Sequence, residues 1–275
     1  MTTLDILICT IDEGIQRVPK VLLPPMTDVA YVVSMQYTDE RFLHQIPQEL
    51  RQRTDVILTF LAGRGLSRNR NNAFDASAAD IVLIADDDVR LTRESIESIR
   101  RVYAENSHTD IALFQLTDPN GHFFKHYPKR SMSYVKAVRE GYYPASWEMT
   151  MRGSVMKYGL QFNELFGLGA DYLSCGEEDV FLKDALRKQM DVRFFPITIG
   201  STNAVTTGTK FLEDVSVQRS KGAAFAYCYG SGNALWRITK EALHYLIYKG
   251  KNPFPLFLHM WQGIRYCNSK VKPRS

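Results

Sequence analysis

The chain has 275 residues, 45% of them hydrophobic and 23% charged, with a net charge of +4, the balance of a globular protein long enough to bury a sizeable core. No apolar stretch approaches the ~18 residues that span a bilayer, and the opening "MTTLDILICTIDEG" has neither the basic start nor the apolar length of a secretory leader. Cys9, Cys175, Cys228 and Cys267 are scattered without a C-x-x-C pair, which favours free thiols in the reducing cytoplasm over a disulfide framework or a zinc site.

In chain order, "LDILIC" (4–9), "VAYVVSM" (29–35), "DVILTF" (55–60) and "DIVLIA" (80–85) are short β-branched runs of the buried-strand type. Helical patterns separate them. Residues 39–53 place Phe42, Leu43, Ile46 and Leu50 at helical spacing, with Pro47 as a break. Residues 67–79 start at a candidate cap, Ser67. Residues 92–106 start at Thr92 and line up Ile96, Ile99, Val102 and Tyr103. This alternation predicts an α/β fold with a mostly parallel sheet flanked by helices, whose ligands bind beyond the carboxyl ends of the strands. "IALFQL" (111–116) reads as a further strand. A polar, aromatic stretch then runs to about residue 160, and helical patterns follow over 239–250 and 256–266, interrupted by Pro253 and Pro255.

Asp86, Asp87 and Asp88 follow a buried run directly. Hard carboxylate oxygens suit Mg²⁺ or Mn²⁺ bridged to phosphate; the alternative is a loop in which one aspartate caps a helix and the others are solvated. "GRGLSRNRNNAF" (63–74) lacks the spacing of a phosphate-cradling loop, so Arg68 and Arg70 are either nucleotide contacts or a solvated basic face. Glu177, Glu178 and Asp179 open a helical run, where acids complement the helix dipole or supply a general base. Trp147 and Glu148 stand side by side in the polar, aromatic stretch, and the plain reading of Trp147 is a core ring. His122 and His126 are four apart, but "GHFFKHYPK" does not read as a helix, so zinc is set aside.

Taken in order, "GLSRNRNNAF", "DIVLIADDDV" and "FGLGA…GEEDVFL" resemble the family 2 glycosyltransferases over roughly residues 4–200. That resemblance implies a GT-A fold with a Rossmann-like nucleotide-binding half (1–110), an acceptor-binding half (111–235) and a basic helical extension (236–275). It implies an inverting transfer of one sugar from a nucleotide-sugar, UDP-linked, to a hydroxyl acceptor in surface polysaccharide synthesis. Asp86 and Asp87 would meet the nucleotide, Asp87 and Asp88 the Mn²⁺ or Mg²⁺, and Thr10 and Asp12 the nucleotide from the end of the first strand. Asp179 would be the base, with Glu178 beside it and Glu177, Trp147 and Glu148 towards the acceptor. Where the family commonly places a base-reading aspartate after the second strand, this chain has Ser34, Met35 and Gln36, and Gln36 is the substitute hydrogen-bonder. The Gln-x-x-Arg-Trp motif of processive synthases is absent.

From Arg237 onward there are eight Lys/Arg and one acid, Glu241. Leu256, Phe257, Met260, Trp261 and Ile264 share a helical face near Arg265, Lys270, Lys272 and Arg274. Such a helix either lies on the anionic inner face of a membrane, near a lipid-linked glycan acceptor, or docks on the protein. Nucleic acid is not expected, since no binding motif accompanies the charge. Two alternatives stand beside the transferase: a nucleotidyltransferase of nucleotide-sugar synthesis, for which "CTIDEGIQRVPK" is a poor triphosphate loop, and a non-catalytic membrane-associated scaffold.

Overall fold

The computed structural model describes residues 2–203 and 210–271. The chain divides into two compact units, one of Met1–Arg64, Arg68–Gln161 and Lys188–Ala204, the other of Gly65–Ser67, Phe162–Arg187 and Val205–Ser275. The C-terminal helices group with residues from the 160s to the 180s.

The first unit carries the sheet. Strands β1 (Leu4–Ile11), β2 (Val29–Tyr37), β3 (Val56–Ala62), β4 (Ile81–Asp86), β5 (Ile111–Thr117), β6 (Met132–Ser133), β7 (Met149–Arg152) and β8 (Val192–Ser201) lie in the order β3-β2-β1-β4-β7-β5-β8-β6. β3, β2, β1 and β4 are mutually parallel. β1 is buried from Leu4 through Thr10, as a strand covered on both faces must be. β7 runs antiparallel between β4 and β5, and β8 returns parallel to β5.

Neither β7 nor β8 stands out in the sequence. β7 is four residues long, too short for a period. β8 contains Pro196, and the pairing with β5 slips between Leu113 and Gln115, an irregularity that accommodates a residue without an N–H.

The helices of this unit follow local chemistry. Residues 39–53 form a 3₁₀ turn, Glu40–Gln45, and a short α1 (Gln48–Gln52), separated at Pro47. α2 spans Leu66–Asp75. α3 (Arg93–Glu105) starts at Thr92, whose hydroxyl accepts from the Ser95 N–H at 3.2 Å while the Ser95 hydroxyl accepts from the Thr92 N–H at 3.1 Å, a reciprocal cap. α3 buries Ile96, Ile99, Val102 and Tyr103, the face its spacing predicts. α4 (Tyr134–Arg139) and α5 (Gly153–Lys157) are short.

Trp147 and Glu148 lie inside this unit rather than on an open acceptor surface. Trp147 is 8% exposed within the main core. The Glu148 carboxylate is fully enclosed: Lys125 Nζ lies 2.9 Å away, and the hydroxyls of Tyr127 and Tyr142 donate to it. Burial raises the Glu148 pKa, and Lys125 and the two tyrosines oppose that rise. The polar, aromatic stretch is thus a buried ion pair wrapped in tyrosines.

The second unit holds α6 (Glu177–Arg187), α7 (Val215–Tyr229), α8 (Ser231–Lys249) and α9 (Phe254–Lys270). α7 escapes a search for amphipathic spacing because small residues let it bury nearly all round, through Val217, Ser220, Gly222, Ala223, Ala224 and Ala226. Its crossing with α9 is glycine-dependent on both sides. A Cβ on Gly222 would stand 2.8 Å from Met260 Cα, and one on Gly263 would stand 2.8 Å from the Arg219 carbonyl carbon. The apolar face of α9 is thereby committed: Leu256, Met260 and Ile264 are buried with α7 in the core of this unit. Docking on the protein, not a lipid surface, takes that face. Lys272 and Arg274 lie outside the described residues.

Two outcomes follow. Gly→Ala in a helix ordinarily stabilises by up to about 1 kcal/mol, but Gly222→Ala should lower the melting temperature by the equivalent of about 1–3 kcal/mol through overpacking. Gly232→Ala, where the added carbon meets nothing within 4 Å, should not. Lys125→Met should cost about 3–5 kcal/mol at neutral pH by leaving Glu148 buried and unpaired. Because the folded-state pKa of Glu148 is raised, and further so without Lys125, protons bind the folded state more tightly. Stability is therefore fully present below the ordinary carboxyl pKa and lost as pH rises through the folded one. The variant's deficit in thermal melts should accordingly shrink as pH falls towards about 4.5.

Candidate active site

The aspartates stand at the carboxyl end of β4, and Asp86 pairs in register with Cys9 of β1. Each has a different environment. Asp87 is buried and fully engaged: the Thr10 hydroxyl donates to Oδ2 at 2.6 Å, and the Arg17 guanidinium donates to Oδ1 and Oδ2 at 2.8–3.1 Å. Gly14 makes this cluster possible, since a Cβ there would overlap the Thr10 hydroxyl and stand 2.8 Å from Asp87 Oδ2. Asp86 lies 3.8 Å from the Arg70 guanidinium, which is 2% exposed and donates to the Ser146 hydroxyl at 2.6 Å.

Asp88 is half-buried. Burial and the neighbouring charge of Asp87 raise its pKa, against a hydrogen bond from Thr202. Its Oδ1 is buried without a hydrogen-bond partner. Asp88 thus carries an open oxygen that a divalent cation would satisfy, whereas both oxygens of Asp87 already serve Arg17 and Thr10. Among the described residues no group of three or more His, Cys, Asp or Glu is arranged to hold a metal alone. A Mg²⁺- or Mn²⁺-type site would draw only one or two carboxylates from the protein and the rest from phosphate and water.

The strand ends beside the aspartates are tied together. Asn69 on α2 donates to the carbonyls of Thr10 and Ser34, each at 3.1 Å, and accepts from the Ser34 hydroxyl at 2.6 Å. Asn72 donates to the hydroxyls of Ser34 and Thr59. "RNRNN" is therefore largely a buried polar clamp on β1, β2 and β3. Arg70 is brought to the aspartates; Arg68 instead bonds the Ala62 carbonyl at 3.2 Å on an exposed surface. Asp12, at φ 49°, accepts from the Thr38 N–H at 2.8 Å and so links the chain leaving β1 to the chain leaving β2. Gln36 pairs with Ile11 in the sheet; it is 2% exposed, and its Nε2 has no hydrogen-bond partner. Behind Asp88, Arg90 exchanges main-chain hydrogen bonds with Ser201 at 2.8 and 3.0 Å, fixing the end of β8 to the aspartate turn.

Sequence reasoning missed Arg17, Asn69 and Ser146. Arg17 stands seventy residues before its partner, and only its place in the loop after the first strand hinted at a role.

In the second unit, Glu177, Glu178 and Asp179 form the first turn of α6. Glu177 is 5% exposed, Glu178 half-buried and Asp179 exposed. The loop before them is held by Ser67, whose hydroxyl donates to the Phe166 carbonyl at 2.6 Å. Gly167, at φ 108°, leaves room for Glu177: a Cβ there would come within 3.2 Å of the Glu177 carboxyl carbon. Burial first, then the charge of Glu177, pushes the Cys175 thiol up to about 12, so it is not a thiolate nucleophile at neutral pH. Asp179 is the most accessible of the three carboxylates.

Residues 39–165 match the family model described as Glycosyl transferase family 2. No curated protein sequence matches the chain. Among solved structures, residues 1–349 of S. aureus TarS superpose with a TM-score of 0.63 at 15% identity, covering 98% of this chain and 88% of that one. The same TarS fragment in complex with UDP gives a TM-score of 0.59 at 16% identity, over 92% of this chain and 74% of that one. Its complex with UDP-GlcNAc gives 0.57 at 14%, over 90% and 73%. Identity at this level establishes a shared fold. Residues 39–165 are thus similar to glycosyl transferase family 2, within a chain that shares its fold with TarS over nearly its whole length.

Proposed function

We propose that the chain moves one sugar from a UDP-linked donor to a hydroxyl of a glycan acceptor, with inversion, in surface polysaccharide synthesis, and that Mn²⁺ or Mg²⁺ assists. The observation that carries this reading is the buried, unpartnered Asp88 Oδ1 at the carboxyl end of β4, where parallel sheets bind ligands. A divalent cation held by Asp88, with Asp86 beside it, would supply positive charge to the departing diphosphate.

This chain's own residues do the rest. Arg17 neutralises Asp87, so the acidic turn presents less repulsion to an incoming diphosphate. Arg70 sets Asp86. Gln36 offers an unsatisfied buried N–H to a carbonyl of the base, which suits uracil, and the crystallised complexes of TarS with UDP and UDP-GlcNAc favour that nucleotide. The acceptor oxygen forms its bond to the anomeric carbon as the bond to the diphosphate oxygen breaks. The hydroxyl proton passes to Asp179, and the electron pair leaves with UDP. Glu178 and Glu177 flank that base.

The test is turnover and binding with a panel of nucleotide-sugars in Mn²⁺, Mg²⁺ or EDTA. One UDP-sugar should bind and be hydrolysed slowly in a metal-dependent way. Asp88→Asn should remove the metal dependence and most of the affinity. Asp179→Asn should keep donor binding while lowering transfer about 10²–10⁴-fold. If no donor binds with or without metal, the reading fails.

A further inference from the structure

Helix α8 buries only Ala234, Ile238 and Ala242. Leu235, Trp236, Leu243, Leu246 and Ile247 remain exposed, Trp236 by 70% and Ile247 by 66%. At the helical repeat these five side chains fall within about a third of the circumference. Tyr248 and Phe254, 71% and 64% exposed, extend the patch at its C-terminal end. So large a contiguous apolar stripe is not ordinary water-facing surface.

Its rim is cationic: Lys240 and Lys249 flank the stripe on α8 and Lys251 follows the helix end, and residues 231–271 contain one acid, Glu241. That acid is already paired with Lys221 at 2.9 Å. No described helix is long and apolar enough to cross a membrane.

We infer that α8 seats the chain on an anionic lipid surface, lying in the plane of the interface with Leu235, Trp236, Leu243, Leu246 and Ile247 among the upper acyl chains and Lys240, Lys249 and Lys251 at the headgroups. Aromatic and aliphatic side chains edged with lysine are what such an interface selects. A second copy of the chain is a poorer occupant. Two-fold pairing of the stripe would set the same lysines near one another with no acid to meet them. The inference does not depend on the donor chemistry.

The experiment is co-sedimentation of the full chain with sucrose-loaded vesicles of phosphatidylcholine, with and without phosphatidylglycerol, alongside UDP binding. The chain should pellet with the anionic vesicles and be released as salt rises. Partition onto neutral vesicles should be at least about ten-fold weaker. The double variant Leu243→Glu/Ile247→Glu changes two exposed positions and should lower partition at least about ten-fold, while thermal melting and UDP binding stay as in the parent. Equal partition onto both vesicle types, no partition onto either, or partition unchanged in the double variant would overturn the inference. So would a concentration-dependent dimer that the double variant dissolves. Failure of the parent chain to bind UDP bears only on the donor reading.

Discussion

Adjacent carboxylates at the end of a buried strand repel one another by about 4 kcal/mol per pair at 4 Å and an effective dielectric near 20, and each resists leaving water. The architecture around β4 answers that constraint unequally. Arg17 and Thr10 take up Asp87, Arg70 stands by Asp86, and Asp88 keeps an unpartnered oxygen. Gly14 is the steric condition for the first of these pairings, and the buried Ser146 hydroxyl anchors the second. The unequal treatment gives the turn its chemistry. A triplet fully neutralised from within would have nothing to offer a cation, and one left entirely bare would strain the strand that carries it.

Most of what surrounds this turn is written in short-range patterns. The buried runs of β1, β2, β4 and β5, the cap at Thr92 and the break at Pro47 are local features that burial and backbone chemistry dictate within a few residues, whereas β3, at the sheet edge, buries none of its residues. The three aspartates and the acids opening α6 are legible for the same reason. What could not be read is long-range. Arg17 reaches Asp87 across seventy positions, and Asn69 recognises main-chain carbonyls, which any sequence supplies. β7 is too short to show a period, β8 carries a proline, and α7 hides its helix because small buried residues recur nearly all round it. Trp147 and Glu148 are acceptor candidates only through the family layout, and they lie in the core because Lys125, Tyr127 and Tyr142 close around the carboxylate.

The C-terminal helices illustrate the same limit. By composition α8 and α9 are alike, each apolar on one side and basic in its last turn. Gly222 and Gly263 decide between them, because only where both helices lack a Cβ can α7 and α9 approach so closely. The apolar face of α9 is spent inside the protein, and that of α8 is left outside. The likeness to TarS, at 14–16% identity, preserves main-chain architecture, while pairings such as Arg17 with Asp87 are properties of this chain's own side chains.

The insertion of β7 between β4 and β5 has a consequence for how the polypeptide is made. β4 ends at Asp86, but the strand that covers its outer edge begins only at Met149, after β5 has been synthesised. As the chain leaves the ribosome, the first four strands can pair while one edge of β4 exposes a row of unpaired amides and carbonyls. Such an edge readily recruits foreign strands. β5, its neighbour in sequence, joins the sheet through β7, so neither seals it alone. Once residues 149–152 emerge, β7 covers β4 at Ile81–Leu83, and the open edge passes to β5 until β8 follows at Val192.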